Sequence, residues 1–256
     1  DMDQKTFNTS SWFTAPSTIP GEATNCGSKF VTGIPCGSRD AKQPWRAPGT
    51  APVFSPCGGF CMQADVGSPK GCQMGQQPAE GLTIIKGVDL PKTERTVWHA
   101  GSDARVAFTA LFNHGGGYAY RLCPAGEEQT EQCFQKTHLA FASNVTTVHW
   151  TSGKEAHYPA VTMETGTHPA RSQWRTIRIP SCSTTWPSIC GKELLPKPCD
   201  ECCAHDCDEW DYSLIDRVEV PAALPAGDYT LSWRWDGEIN HQVWQNCADI
   251  TVAAAA

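Results

Sequence analysis

The chain has 256 residues, with 22 Gly, 19 Pro, 10 Trp and 14 Cys, and only 18% of it is charged. That length suits one large all-β domain or two small ones, and the glycine and proline content excludes a helical bundle in favour of short strands joined by turns. The formal net charge of −7 argues against nucleic acid and anionic membrane surfaces as partners, and no apolar run reaches the ~20 residues needed for membrane insertion.

An even number of irregularly spaced cysteines reads as disulfides formed in an oxidising compartment, so the protein is expected to be secreted or extracellular. Two glycosylation sequons, at Asn8 and Asn144, agree with that. A secreted chain is made with a leader, so residues upstream of Asp1 are expected to have been removed or to lie outside this sequence.

In chain order, residues 1–80 show little periodicity and read as a loop-rich part packed on the core. Thr14 to Gly21 and Pro44 to Pro52 are too rich in proline for helices. Cys26, Cys36, Cys57, Cys61 and Cys72 are expected to staple this part; no C-x2-C pair occurs here to suggest zinc. Residues 81–253 read as a β-sandwich continuous with it in a single domain. Short strands are predicted at Leu82 to Lys86 and Arg95 to Trp98.

The segment Ala104 to Pro124 is the most informative. Val106, Phe108, Ala110 and Phe112 alternate onto one face; Asn113-His114-Gly115-Gly116-Gly117 interrupts; Tyr118, Tyr120 and Leu122 resume the alternation. This predicts a hairpin-like unit with one imidazole at its bend. On its own His114 reads as a solvated turn residue, but the glycines leave it open to a bulky substrate. Cys123 and Cys133 flank a polar loop and are expected to pair locally.

Further strands are predicted at Leu139 to Phe141, Thr146 to Trp150 and Trp174 to Ile179. Between the last two, residues 151–173 read as a polar loop in which His157 and His168 are exposed. The inserted loop 182–210 holds Cys182, Cys190, Cys199, Cys202, Cys203 and Cys207, with His205 and several carboxylates. Disulfides are favoured there over zinc, and the acidic residues match no calcium-loop motif. Arg217 to Val220, Tyr229 to Trp235 and Cys247 to Val252 are the closing strands. Tyr229, Leu231, Trp233 and Trp235 share a face. The fold class is therefore all-β: an antiparallel β-sandwich with long, disulfide-rich loop insertions.

Three segments together resemble one family. Asn113 to Pro124 (NHGGGYAYRLCP) resembles the central segment of chitin-binding type-4 domains, the secreted lytic polysaccharide monooxygenases, with the insect-type branch closest. Leu224 to Asp236 (LPAGDYTLSWRWD) is similar to that family's penultimate strand, and Trp244 to Ile250 (WQNCADI) to its closing strand. Trp45 to Val53 (WRAPGTAPV) resembles long, cysteine-rich protist relatives. The likeness spans most of residues 45–253.

This resemblance implies an immunoglobulin- or fibronectin-III-like sandwich and a surface that lies on insoluble polysaccharide. It also implies one copper ion held by the amino group and imidazole of a terminal His plus one internal His. His114 matches the internal ligand. Trp244 falls near the axial aromatic, with Glu238 and Gln242 as supporting groups, and Tyr118 and Trp45 as substrate-contacting aromatics. The chain departs from the family pattern in two ways: residue 1 is Asp, so the copper brace needs a His upstream of it, and Trp replaces the usual Tyr or Phe at 244.

The expected function is copper-dependent oxidative cleavage of chitin, cellulose or a related glycan, if that upstream His exists. The alternative is a non-catalytic carbohydrate-binding or structural module of an extracellular wall, scale or filament, with insoluble polysaccharide or other structural proteins as partners. Trp12, Trp45, Trp186 and Trp210 lie in loop-like sequence and are candidates for exposed contacts. No paired-carboxylate, nucleophile-elbow or phosphate-loop signature supports another chemistry.

Overall fold

The structure is a computed structural model that describes residues 48–49, 53, 55–62, 83–110, 117–165, 167–177, 212–236 and 243–255. Strands β1 (Gly59–Met62) and β2 (Thr83–Lys86) form a small antiparallel ribbon. A seven-stranded sheet contains β3 (Thr96–His99), β5 (Gly117–Pro124), β6 (Thr137–His138), β9 (Thr162–Met163), β10 (Trp174–Thr176), β12 (Gly227–Asp236) and β13 (Val243–Ala253). Its order is β3-β13-β12-β5-β10-β9, with β6 also beside β5. A four-stranded sheet has the order β4 (Asp103–Phe108), β11 (Tyr212–Glu219), β7 (Val145–Trp150), β8 (Glu155–Pro159). Apart from the parallel β3–β13 pair, the ladders are antiparallel, and the fold is an all-β sandwich as the sequence predicts.

Alternation explains most inward faces. In β4, Ala104 and Val106 are buried between more exposed neighbours; in β7, Thr146, Val148 and Trp150 are buried, with Thr147 and His149 between them half-buried. Opposite them, Tyr118, Tyr120 and Leu122 of β5 and Tyr229, Leu231 and Trp235 of β12 complete one core. Phe108 joins the two layers, with ring centroids 4.6 Å from Tyr118 and 4.8 Å from Trp233.

The outer face of the larger sheet is covered too where β12 and β5 run. Thr230, Ser232, Arg234 and Asp236 of β12 are buried, as are Arg121 and Cys123 of β5. The cover consists of residues 55–58 and a short helix, α1 (Glu131–Gln135), whose first turn is capped when the Thr130 hydroxyl accepts the Cys133 N–H. Two disulfides fasten it: Cys123–Cys133, the local pair expected, and Cys57–Cys247.

Several expectations change. The hairpin-like unit is absent: β4 and β5 lie in opposite sheets, so residues between them connect layers rather than turn back along one ladder. Alternation fixes which side chains point inward but not which strand lies alongside. Cys57 does not staple the amino-terminal part to itself; it joins that part to the closing strand. Residues 151–173 contain β8 and β9, and β10 is buried throughout because both its faces are covered.

Candidate functional site

The candidate site is one end of the sandwich. Val243, Asp236, Gly117 and Thr176 stand side by side across β13, β12, β5 and β10. They are therefore the last rungs of four adjacent strands. In the facing sheet, Phe108 ends β4, and Tyr212, at the start of β11, pairs with Trp150 at the end of β7. The Tyr212 hydroxyl donates to the Ala110 carbonyl, tying these ends together. The strand ends flanking residues 111–116, 178–211 and 237–242 thus all meet at this end.

One rung inward, Trp244, Trp235 and Tyr118 form a cross-strand aromatic row on the core side. Trp244 is half-buried and stacks on Trp235, with centroids 6.1 Å apart and planes 24° apart. Such a row stiffens the sheet where the loops attach. Tyr118 is 1% exposed and donates its hydroxyl to Asp216 Oδ2 at 2.7 Å. Burial, then the Asp216 charge, push that phenol well above its ordinary pKa, so it stays a donor. A ring in that position cannot stack on a polysaccharide, so the sequence-based assignment of Tyr118 to substrate contact is corrected. The same alternation that put it on a strand put it in the core.

Behind this row the outer face carries a belt of buried charge. Arg234 holds Asp236 by two bonds, Nε to Oδ1 at 2.6 Å and Nη2 to Oδ2 at 3.0 Å, and donates to Glu131 Oε1 at 2.7 Å. Arg121 also pairs with Glu131 and donates to Ser232 Oγ at 2.9 Å, and Ser232 in turn donates to the Pro56 carbonyl at 2.8 Å. Two guanidiniums and two carboxylates cancel, which makes their burial tolerable. Burial pushes the Glu131 carboxyl up, but Arg121 and Arg234 outweigh it and hold it below the usual carboxylate range. His138, beside Arg121, falls to about 3, first from burial and then from the Arg121 charge. It is neutral at pH 7.

The belt explains part of the Trp45 to Val53 stretch. The Gly49 N–H donates to Asp236 Oδ2 at 2.8 Å, and the His168 N–H to the Pro48 carbonyl at 2.8 Å. Gly49 has φ +88°, and a Cβ there would lie 1.9 Å from the His168 carbonyl oxygen. Only glycine fits this docked turn.

A second ionic clamp crosses the core. Arg175 Nη1 donates to Asp216 Oδ1 at 2.6 Å, Thr146 Oγ1 donates to the same oxygen at 2.9 Å, and the Arg175 guanidinium lies 3.9 Å from the Phe141 ring centroid. Sequence reasoning missed Arg121, Arg175, Arg234, Glu131 and Asp216. The available signal was an arginine at the polar positions of Tyr118 to Leu122, Trp174 to Ile177 and Tyr229 to Trp235, each reading as solvent-facing.

Of the other assigned residues, Asn144 is exposed, and Cys61 lies on β1. His157 is exposed, on β8 rather than in a loop, with Nδ1 2.9 Å from Thr147 Oγ1; His168 is exposed. His114, Glu238, Gln242, Trp45 and Asn8 lie outside the described residues. So do Cys26, Cys36, Cys72, Cys182, Cys190, Cys199, Cys202, Cys203 and Cys207, and Trp12, Trp186 and Trp210. Among the described residues no group of three or more His, Cys, Asp or Glu is placed to hold a metal, and no helix is long and apolar enough to cross a membrane. Neither a scan against protein-family models nor a search of curated proteins returns a match for this chain.

Proposed function

We propose that this is a secreted, polysaccharide-directed protein of the lytic polysaccharide monooxygenase type, acting through the loop-bearing end of its sandwich. The supporting observation is the row Val243–Asp236–Gly117–Thr176, with Trp244 one rung inward. It brings the flanks of the segments carrying His114, Glu238 and Gln242 to one place in the fold, next to Trp244. Trp244 offers carbon and an N–H donor, not a metal ligand. The copper donors in this reading are His114 and a terminal His upstream of Asp1. Bound copper would supply the redox chemistry that cleaves a glycosidic link. The chain's own residues would hold the copper through His114, and keep the strand ends fixed through the Trp244–Trp235 stack and through Arg234, Asp236 and Gly49.

The test is copper titration of the protein secreted with its own leader, with its amino terminus sequenced. One-to-one binding that is lost in His114→Ala supports the reading. A mature terminus without His, and no difference between the wild type and His114→Ala, would refute it. A second reading is a non-catalytic polysaccharide-binding or structural module; the burial of Tyr118, which removes one of the two assigned substrate aromatics, weakens its sugar-binding form and leaves the structural one untouched. Retention on chitin or cellulose without copper would support that reading.

A further inference from the structure

We propose that Asn144 carries an N-linked glycan, attached before this part of the chain folds, whose first sugars cover the apolar surface around Val145 and Val161. The proposal rests on the extracellular reading of the chain but not on copper or on any polysaccharide substrate.

Four observations carry it. First, Asn144 is exposed in a turn held firmly in place. The Ala142 N–H donates to the Arg217 carbonyl at 2.9 Å, the Ala160 N–H to the Asn144 carbonyl at 2.9 Å, and Arg175 to the Ser143 carbonyl. Second, only three large hydrophobic side chains are strongly exposed among the described residues, and two of them flank this asparagine. Val145, its neighbour in sequence, is 42% exposed, and Val161, which follows Ala160, is 53% exposed. Pro159, opposite Val145 in the β7–β8 ladder, is exposed as well.

Third, a groove of about 290 Å³ starts beside the turn, with Val145 and Ile215 as its apolar part and Ser143, Arg105, Arg217 and Glu155 as its polar part. That mixture suits an N-acetylhexosamine, whose ring and methyl group pack on aliphatic carbon while its hydroxyls take charged and neutral hydrogen bonds. Fourth, the hydroxyl that makes Asn144-Val145-Thr146 an acceptor is not available in the folded protein. Thr146 is 7% exposed, sits within β7, and donates to Asp216 Oδ1 at 2.9 Å.

The transfer uses a polyprenyl-diphosphate-linked oligosaccharide. The Asn144 amide nitrogen forms a bond to the anomeric carbon, the bond from that carbon to the diphosphate oxygen breaks, the lipid diphosphate leaves, and the amide proton passes to base. The enzyme recognises the Thr146 hydroxyl during this step. Folding then moves that hydroxyl onto Asp216, so the modification has to precede closure of β7 into its sheet.

The experiment expresses the chain with a leader in a eukaryotic secretory cell and reads glycopeptide masses and disulfides together. Expected results are a glycan mass on the peptide containing Asn144, its loss in Asn144→Gln and Thr146→Ala, and its retention in Thr146→Ser. In vitro, glycan-free protein with its disulfides formed should not accept oligosaccharide from a microsomal transferase, whereas the reduced, unfolded chain should. Asn144→Gln should bind more of a hydrophobic dye, and adding Val145→Thr and Val161→Thr should reverse that. Secreted protein with Cys57–Cys247 formed but Asn144 bare overturns the glycan while leaving the compartment reading intact. Free thiols throughout, with Asn144 bare, overturn both. Equal labelling of folded and unfolded acceptor overturns the order of events.

Discussion

Asp216 offers the sharpest test of how the two sheets are held together. It is 1% exposed and accepts from Arg175 at 2.6 Å, Tyr118 at 2.7 Å and Thr146 at 2.9 Å, so one carboxylate joins β11 to β10, β5 and β7. Asp216→Asn preserves the shape but removes the negative charge, leaving the fully buried Arg175 cation without its counter-charge. Breaking a buried pair from one side costs about 3–5 kcal/mol, a large part of the ~5–15 kcal/mol that stabilises a domain. Removing both charges in Asp216→Asn/Arg175→Met leaves only neutral groups short of partners, the Ser143 carbonyl among them, each worth about 1–3 kcal/mol at most. The double variant is therefore expected to be more stable than Asp216→Asn alone, with a coupling of about 2 kcal/mol or more. Guanidinium unfolding of all four proteins at pH 7 measures this. Urea unfolding with and without added salt should give the same coupling, because the pair is shielded from solvent ions. Additive losses within about 0.5 kcal/mol would refute the clamp.

Two other outcomes follow from groups on the outer face. His138 has its folded pKa depressed to about 3 by burial and by Arg121, so the unfolded chain binds a proton that the folded chain does not as pH falls below ~6.5. Stability should decline by about 2 kcal/mol from this group between pH 7 and pH 5, a slope that His138→Leu should flatten; superimposable pH curves would contradict it. The disulfides should differ in weight, since Cys57–Cys247 closes a separation of 190 residues and Cys123–Cys133 one of 10. Chain-entropy arguments give about 5 and about 3 kcal/mol respectively, so paired alanine replacements should differ by about 2 kcal/mol in denaturant unfolding. Equal losses would point to packing around sulfur instead.

The sandwich was legible because its inward residues alternate: Val106 and Phe108, Tyr118 and Tyr120, Tyr229 to Trp235 all announce a strand face. The partner of each strand was not, since β4 and β5 look like a hairpin and belong to different layers. The outer face of β12 misled in another way. Ser232, Arg234 and Asp236 read as solvent-facing, yet residues 55–58 and α1 bury them, and their charges are matched by Glu131 and Arg121, which are remote in sequence or disguised by the same alternation. The local disulfide was readable from the short Cys123–Cys133 spacing, while Cys57–Cys247 depends on a packing that no spacing reveals. At the candidate site, Trp244 was found through its resemblance to a known closing strand, but its stack on Trp235 and the docking of Gly49 on Asp236 come only from three-dimensional placement.

The alignment of four strand termini in one rung bears on how such a protein can change over time. Chain added beyond Val243, Asp236, Gly117 or Thr176 attaches outside the last hydrogen-bonded step, so registers and core contacts need not shift. Doubling the length of a connecting segment costs only about 0.6 kcal/mol in closure entropy. This rim can therefore accept insertions and trade one surface chemistry for another while the scaffold beneath it stays the same.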